Sequence, residues 1–275
     1  MLRSLFAGIS GLRGHQQMMD VVGNNIANVN TTGFKSSQLL FEDALSQTLR
    51  AATAAGANTA ATNPAQIGLG VRTAGVSTNF GQGATQLTGR NTDMLIQGDG
   101  FFVVDAAGQD AYTRSGAFTF DASGRLSTAA GGLVQGWMAV NGTVDTTGAV
   151  GPVTIDPGTY RGFNVGSDGT VTGQLADGTS RTIARLALAN FANPMGLEKI
   201  GGSLFRATVN SGDVQIGPAG DNGTGTIVSN ALEMSNVDLA GELTGLIIAQ
   251  RGFQANSKVI STSDELLQDL MNLKR

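Results

Sequence analysis

Two stretches of the chain, one at each end, repeat their apolar positions at helical spacing. In residues 1–28, Leu2, Leu5, Ile9, Leu12, Met19 and Ile26 follow alternating three- and four-residue steps, with Gln16 and Gly23 in the two remaining slots. That is a heptad seam, the pattern of a helix packing along a second helix. Toward the other end, Leu232, Leu239, Leu246, Phe253, Ile260 and Leu267 form a column at seven-residue spacing, thickened by Leu243, Ile247, Leu266, Leu270 and Leu273. A helix of roughly 38 residues from Val237 would run about 55–60 Å, longer than a small domain is wide, so its own domain cannot cover it. Ser235-Asn236 and Asp238 suit its start, because their oxygens accept from free N–H groups and acid favours the positive helix end. Lys274 and Arg275 suit its other end. The two segments are expected to pair as a coiled coil and to leave faces open for neighbouring copies.

Between them the period changes. Asn24–Lys35 closes the first helix with turn-forming Asn and Gly33. Residues 51–71 carry no charge and eight Ala, and are expected to have no regular structure. From Val71, short runs rich in Phe, Val, Tyr and Thr alternate with turn signals. Phe101–Val104, Ala111–Thr113, Ala117–Phe120, Arg125–Thr128 and Leu133–Trp137 read as strands, joined through Asp105-Ala-Ala-Gly108 and Asp121-Ala-Ser-Gly124. Asp168-Gly169 and Asp177-Gly178 carry the series into Arg181–Phe191. The expected fold is α+β, mainly β: an antiparallel β domain (71–231) inserted between terminal helices (1–30 and 232–275), with 31–70 as an extended connector.

Composition sharpens this picture. Gly accounts for 40 of 275 residues, twice the usual share, and 33 of them lie between residues 29 and 228. The seven glycines in the terminal segments weaken isolated helices by up to ~1 kcal/mol each, so the ends are expected to fold only when copies meet. Charged residues make up only 14 % and the net charge is −4, without the clustered basic stripe that nucleic acid requires. No apolar run reaches membrane-spanning length, so no membrane insertion is expected. Catalytic groups are scarce: there is no Cys, and His15, the one histidine, lies in the first heptad segment. Asp93, Asp99, Asp105 and Asp110 lack the spacing of a calcium loop and read as surface turn acids, while the glycine pairs lack the third Gly and Lys of a phosphate cradle. No catalytic residue, metal or cofactor is expected. A secreted carbohydrate-binding or hydrolytic β domain would need clustered aromatics or a carboxylate pair, but aromatics are 5 % and Trp137 stands alone.

The run Asn24-Asn-Ile-Ala-Asn-Val-Asn-Thr-Thr-Gly-Phe-Lys35, after a Leu-rich helix, resembles the signature of the bacterial flagellar rod and hook axial family, with Asn24, Asn25, Asn28, Asn30, Thr32, Gly33 and Phe34 as its motif residues. Gln66–Val71, Thr92–Phe102 with Tyr112-Thr-Arg-Ser-Gly116, and Leu232–Leu239 are similar to the same family. The C-terminal part, with Ile248–Ser257 and Asn272–Arg275, is most similar to hook subunits, and a distal rod subunit is the second reading. Only residues 141–163 occupy the place where many hook proteins insert an outer domain, so that domain is expected to be absent or reduced to a loop.

The resemblance implies a self-assembling structural subunit of the flagellum. A hook would be a helical tube, a flexible coupling between rod and filament and a conduit for exported subunits. The implied partners are further copies of the chain, adjacent rod and hook–filament junction proteins, the hook cap and the export apparatus, and the implied place is the extracellular flagellum. The two heptad columns would form the inner tube, with the β domain outside it. Phe41-Glu-Asp-Ala-Leu45 resembles the family's export-gate motif, Phe41 and Leu45 being its apolar pair.

Overall fold

The computed structural model describes residues 2–54, 60–140, 142–156, 158–221 and 223–272, and the chain divides into two compact units. The first comprises Met1–Ala27, Ser37–Thr78 and Asp238–Arg275. Its elements are α1 (Leu2–Ala27), β1 (Ser37–Asp43), β2 (Ser46–Arg50), β3 (Ala65–Gly68), β4 (Val71–Thr78) and α2 (Leu239–Asn272). The helices pack antiparallel, with Gly8 of α1 against Ile260 of α2, Gly11 against Asn256, His15 against Gly252 and Asn25 bonded to Glu242. At 34 residues, α2 is about 51 Å long. It starts two residues later than expected because Asp238, not Ser235-Asn236, is its cap: the Asp238 carboxylate accepts from the Ala240 N–H at 3.1 Å. The final Leu273, Lys274 and Arg275 and the Leu270 side chain lie outside the described residues.

β1 pairs with β4 and β2 with β3, both antiparallel, giving a two-stranded ribbon. Residues 51–71, expected without regular structure, thus contain β3 and a Thr53–Thr62 bridge. The Ala/Thr-rich run offers no apolar alternation, but Ser46–Arg50 supplies the backbone partners it lacks.

The second unit comprises Asn28–Ser36 and Asn79–Val237. Its main sheet runs, strand by neighbouring strand, Tyr160–Val165, Thr170–Leu175, Ser180–Asn190, Leu133–Val140, Phe101–Ala106, Gln109–Thr113, Leu204–Arg206 and Glu198–Gly201. Among the described residues every strand pairing is antiparallel. Phe101 and Val103 enter one hydrophobic cluster with Tyr112, Trp137, Ala187 and Phe205, while Phe102 enters another with Phe118, Val134, Leu186 and Leu188. Side chains alternate along a strand, so an unbroken apolar run such as Phe101–Val104 marks a strand covered on both faces. The turns follow the expected chemistry: Asp105 accepts from the Gly108 N–H at 2.6 Å, and Asp121 from those of Ser123 and Arg125 at 2.9 and 2.8 Å.

Candidate assembly site

In the first unit the helix–helix contact keeps the expected seven-residue period but not the expected face. The α2 residues turned to α1 include Glu242, Ala249, Asn256 and Ser263, a column three positions from the leucines and about 60° around the helix. Leu246, Ile260 and Leu267 flank this column and are half-buried, whereas Leu239, Leu243 and Phe253 are exposed, as are Ile247, Ile248, Val259 and Leu266. Leu232 is not helical; it sits in the strand Ala231–Glu233 of the second unit. On α1, Leu5, Ile9, Leu12, Met19 and Ile26 are half-buried, while Gly8, Gly11 and Gly14 are buried, and Gln16 and Gly23 face outward. The Leu2 backbone is helical and its side chain lies outside the described residues.

Glycine sets this geometry. A Cβ on Gly11 would fall 2.8 Å from the Asn256 side chain, and one on Gly252 would fall 2.5 Å from the His15 ring. The helices therefore approach closely through small residues, and the large apolar side chains are displaced to the flanks. His15 is a packed helix residue, with its ring 6.1 Å from that of Phe41. Phe41 also covers Gly14, while Leu45, its partner in the export-gate resemblance, is 85 % exposed.

Asn25 fixes the register. Its buried amide accepts from the Ser37 N–H at 3.0 Å and donates to the Ser37 carbonyl and to Glu242 Oε1, both at 2.8 Å. One side chain thus serves as the backbone partner of the first ribbon residue and holds the first turn of α2. Asn24, beside it, is exposed.

The remaining motif residues belong to the second unit. Asn28 closes a turn with Thr31, Asn30 is exposed in it, and Thr32 Oγ1 lies 3.1 Å from Ser115 Oγ. Gly33 is left-handed (φ 67°) and donates to the Glu233 carbonyl at 2.8 Å; a Cβ there would lie 2.5 Å from the Ser115 nitrogen. Phe34 lies beneath Lys199, whose Nζ is 5.2 Å from the ring centre.

Next to this turn lies a buried ionic cluster that sequence reasoning missed. Lys35 Nζ donates to Glu233 Oε1 at 2.7 Å and to the Gly81 carbonyl at 2.8 Å, the Gly83 N–H donates to the same Glu233 oxygen at 2.9 Å, and Arg114 lies 3.6 Å from Glu233 Oε2. All three side chains are buried, and Arg114 also rests on the Phe101 ring. Burial pulls the Lys35 ammonium below its ordinary pKa, with Glu233 opposing the shift, and depresses that of Arg114 in the same way. The sequence signal existed: in a chain only 14 % charged, each of the three residues ends or interrupts one of the family-like stretches. Three such stretches, 198 residues apart at their extremes, therefore meet at one carboxylate. Asp93 also departs from expectation, being buried rather than a surface turn acid.

Among the described residues no helix is long and apolar enough to cross a membrane, and no three His, Asp or Glu side chains converge as metal ligands would. The first unit does expose a run of large apolar side chains along α2, among them Leu239, Leu243, Ile247 and Leu266, as a surface for association would.

Comparison with known proteins agrees. Residues 5–35 match the family described as flagella basal body rod protein, residues 95–173 the flagellar hook protein FlgE/F/G D1 domain, and residues 228–273 the flagellar basal body rod FlgEFG protein C-terminal region. The chain is 48 % identical to the flagellar basal-body rod protein FlgG of Bacillus subtilis over 276 residues, covering all of both chains. It is 29 % identical to the flagellar hook protein FlgE of Treponema pallidum over 463 residues and 30 % identical to that of Borreliella burgdorferi over 441, again covering both chains.

Proposed function

This chain belongs to the bacterial flagellar rod and hook family of axial proteins, and from that premise we propose that it is a distal rod subunit of the basal body. It is a non-catalytic structural subunit of the extracellular rod–hook axis, associating with other axial and basal-body components. The observation that carries the finer reading is length together with identity. The chain aligns with a rod protein end to end at 48 % over 276 residues, whereas alignment with hook proteins must stretch to 441 or 463 positions at 29–30 %. The similarity of the C-terminal part to hook subunits, which favoured a hook, is outweighed by that difference.

In this reading, the exposed flanks of α2 and the half-buried residues of α1 are the assembly surface. Large apolar side chains left open along a helix of about 51 Å are buried when neighbouring copies stack in a heterologous, non-closing arrangement, and the helices then line the wall of a tube. Adjacent rod proteins and the hook are the expected neighbours. Electron microscopy of basal bodies from a strain lacking this chain tests the assignment: a truncated rod supports it, and a completed rod without a hook restores the hook reading. Circular dichroism tests the assembly surface, since helix content should rise when purified chain polymerises, and equal content before and after would reject it.

A further inference from the structure

The second unit carries two features that neither its core nor the helix pair explains. One is a rigid apolar knob. Val209 is fully exposed at the tip of the loop after strand Leu204–Arg206, and Met195, on the neighbouring 3-10 turn Pro194–Gly196, is 66 % exposed. Exposed apolar side chains are ordinary on mobile loops. This loop, however, is fixed on every side. Thr208 Oγ1 donates to the Gly196 carbonyl at 2.6 Å, Ser211 Oγ to the Thr208 carbonyl at 2.7 Å, and Asn193 Nδ2 to the Asn210 carbonyl at 3.0 Å. Ser211 is fully buried, and a Cβ on Gly196 would fall 2.7 Å from the Asn210 backbone. An apolar side chain held out on so constrained a loop is presented at little further entropic cost, which is how interface anchors work.

The other feature is a pocket of about 380 Å³ lined by Phe120, Ile155, Tyr160 and Phe163, with Asn91 and Arg161 at its rim. Phe120 and Phe163 meet edge to face at 5.1 Å, and Asn91 holds the Phe163 carbonyl at 3.1 Å. Its aromatic floor and polar rim suit an aliphatic or thioether side chain. Among the described residues Arg161 makes no hydrogen bond or ion pair, and neither does Asp213, which is exposed close beyond the knob. Knob and pocket thus carry opposite, uncommitted charges. They also belong to opposite ends of the sheet order, the pocket at strand Tyr160–Val165 and the knob beside strand Glu198–Gly201.

We propose that the occupant of this pocket is a second copy of the chain: Val209 and Met195 of one copy enter the Phe120–Tyr160–Phe163 pocket of the next, and Asp213 pairs with Arg161 across the contact. Because knob and pocket are different surfaces of the second unit, the contact is heterologous, and with a rotation that does not close it extends into an open row of second units. The inference rests on the axial-subunit reading.

The chain has no cysteine, so single-cysteine variants give a clean test. Polymer grown from equal amounts of V209C and Y160C copies should form V209C–Y160C disulfides under mild oxidation, and polymer from either variant alone should not. In parallel, V209D should raise the critical concentration about tenfold or more. R161D and D213R should each weaken assembly, and the double variant R161D/D213R should restore it. Unchanged Trp137 fluorescence and melting in each variant exclude misfolding. Polymers that form without the mixed cross-link, with V209D assembling like the parent chain, overturn the contact and leave the axial reading standing. Cross-linking of V209C to a different basal-body protein instead of a second copy also overturns it. A parent chain that stays monomeric at all concentrations overturns the axial reading and the contact together.

Discussion

Replacing Glu233 by Gln keeps the shape of the buried cluster and removes its only negative charge. Lys35 and Arg114 would then be two buried cations whose remaining acid neighbour is the exposed Asp99 acting on Arg114, within a core where both side chains are almost fully excluded from solvent. Breaking a buried ion pair by removing one partner costs about 3–5 kcal/mol, far more than the pair contributes over an apolar replacement. For a unit of this size each kcal/mol lowers the melting point by roughly 2–4 °C, so E233Q should melt about 6–20 °C below the parent. The chain has a single tryptophan, Trp137, which lies in the second unit, is 4 % exposed and donates to the Gly148 carbonyl at 2.9 Å. Its fluorescence therefore follows this unit alone. The deficit should also depend on pH in a known direction. Burial lowers the Lys35 pKa from 10.5, and loss of Glu233 removes the contact that raises it. The unfolded chain then binds that proton more tightly than the folded one, so stability rises with pH from the folded-state value up to 10.5. The triple variant K35M/R114M/E233L, which substitutes apolar volume for all three charges, should recover most of the loss. E233Q melting within 2 °C of the parent would refute the assignment of Glu233 as the ionised centre of the cluster.

Four further outcomes follow from the same geometry. Gly23→Ala, where an added Cβ meets nothing, should stabilise α1 by about 1 kcal/mol, whereas Gly252→Ala, 2.5 Å from His15, should reduce helical circular dichroism despite the same gain in propensity. Asn25→Ala removes three hydrogen bonds and should cost about 2–4 kcal/mol in urea unfolding monitored by helix signal. The turn carboxylates Asp121, Asp145, Asp156, Asp168 and Asp177 are held below the ordinary aspartate pKa of 3.8, chiefly by the hydroxyls of Thr147, Thr159, Thr170 and Thr179 and, at Asp121, by the Arg125 backbone N–H. Their contribution is present above pH 3.8 and lost as the pH falls through their folded values, so the Trp137 melting point should drop between pH 4 and 2, less steeply in D156N/D177N. Phe41→Ala with Leu45→Ala should lower secretion of the chain if the pair acts at the export gate, and unchanged secretion would remove that role.

The parts of this protein visible in its sequence are those written in local chemistry. Strands such as Phe101–Ala106 and Ser180–Asn190 follow from apolar-rich runs beside Asp/Gly turns, whose aspartates bond the turn as their position implies. The helices follow from a seven-residue period that either face would give. Which face pairs was not visible, because a glycine scores as a weak helix residue in any pattern, and only the facing Asn256 or His15 reveals that it is a close-packing site. The ionic cluster was hidden for a different reason: Lys35 and Glu233 are 198 residues apart, and no local rule joins them. The ribbon from β1 to β4 was hidden because its inner strands, Ser46–Arg50 and Ala65–Gly68, are largely exposed, Leu49 and Ile67 included, and are defined by backbone pairing rather than by burial.

The helix glycines consequently have a different role from the one their propensity suggests. Four of them in α1 weaken the isolated helix by roughly 4 kcal/mol relative to alanine, and of the three hydrogen bonds of Asn25 only the one to Glu242 crosses to α2, the other two holding Ser37. The close approach that those glycines permit turns small and polar groups inward, leaving Leu239, Leu243, Ile247, Ile248, Val259 and Leu266 exposed. Had leucines filled the inner face, one copy would have satisfied its own seam and had little reason to associate. With glycine inside, the large apolar side chains lie on the flanks, where the proposed axial assembly would bury them. In that proposed assembly helix formation and polymer growth are coupled through the same residues, whereas the second unit, with both sheet faces packed, has a hydrophobic core of its own.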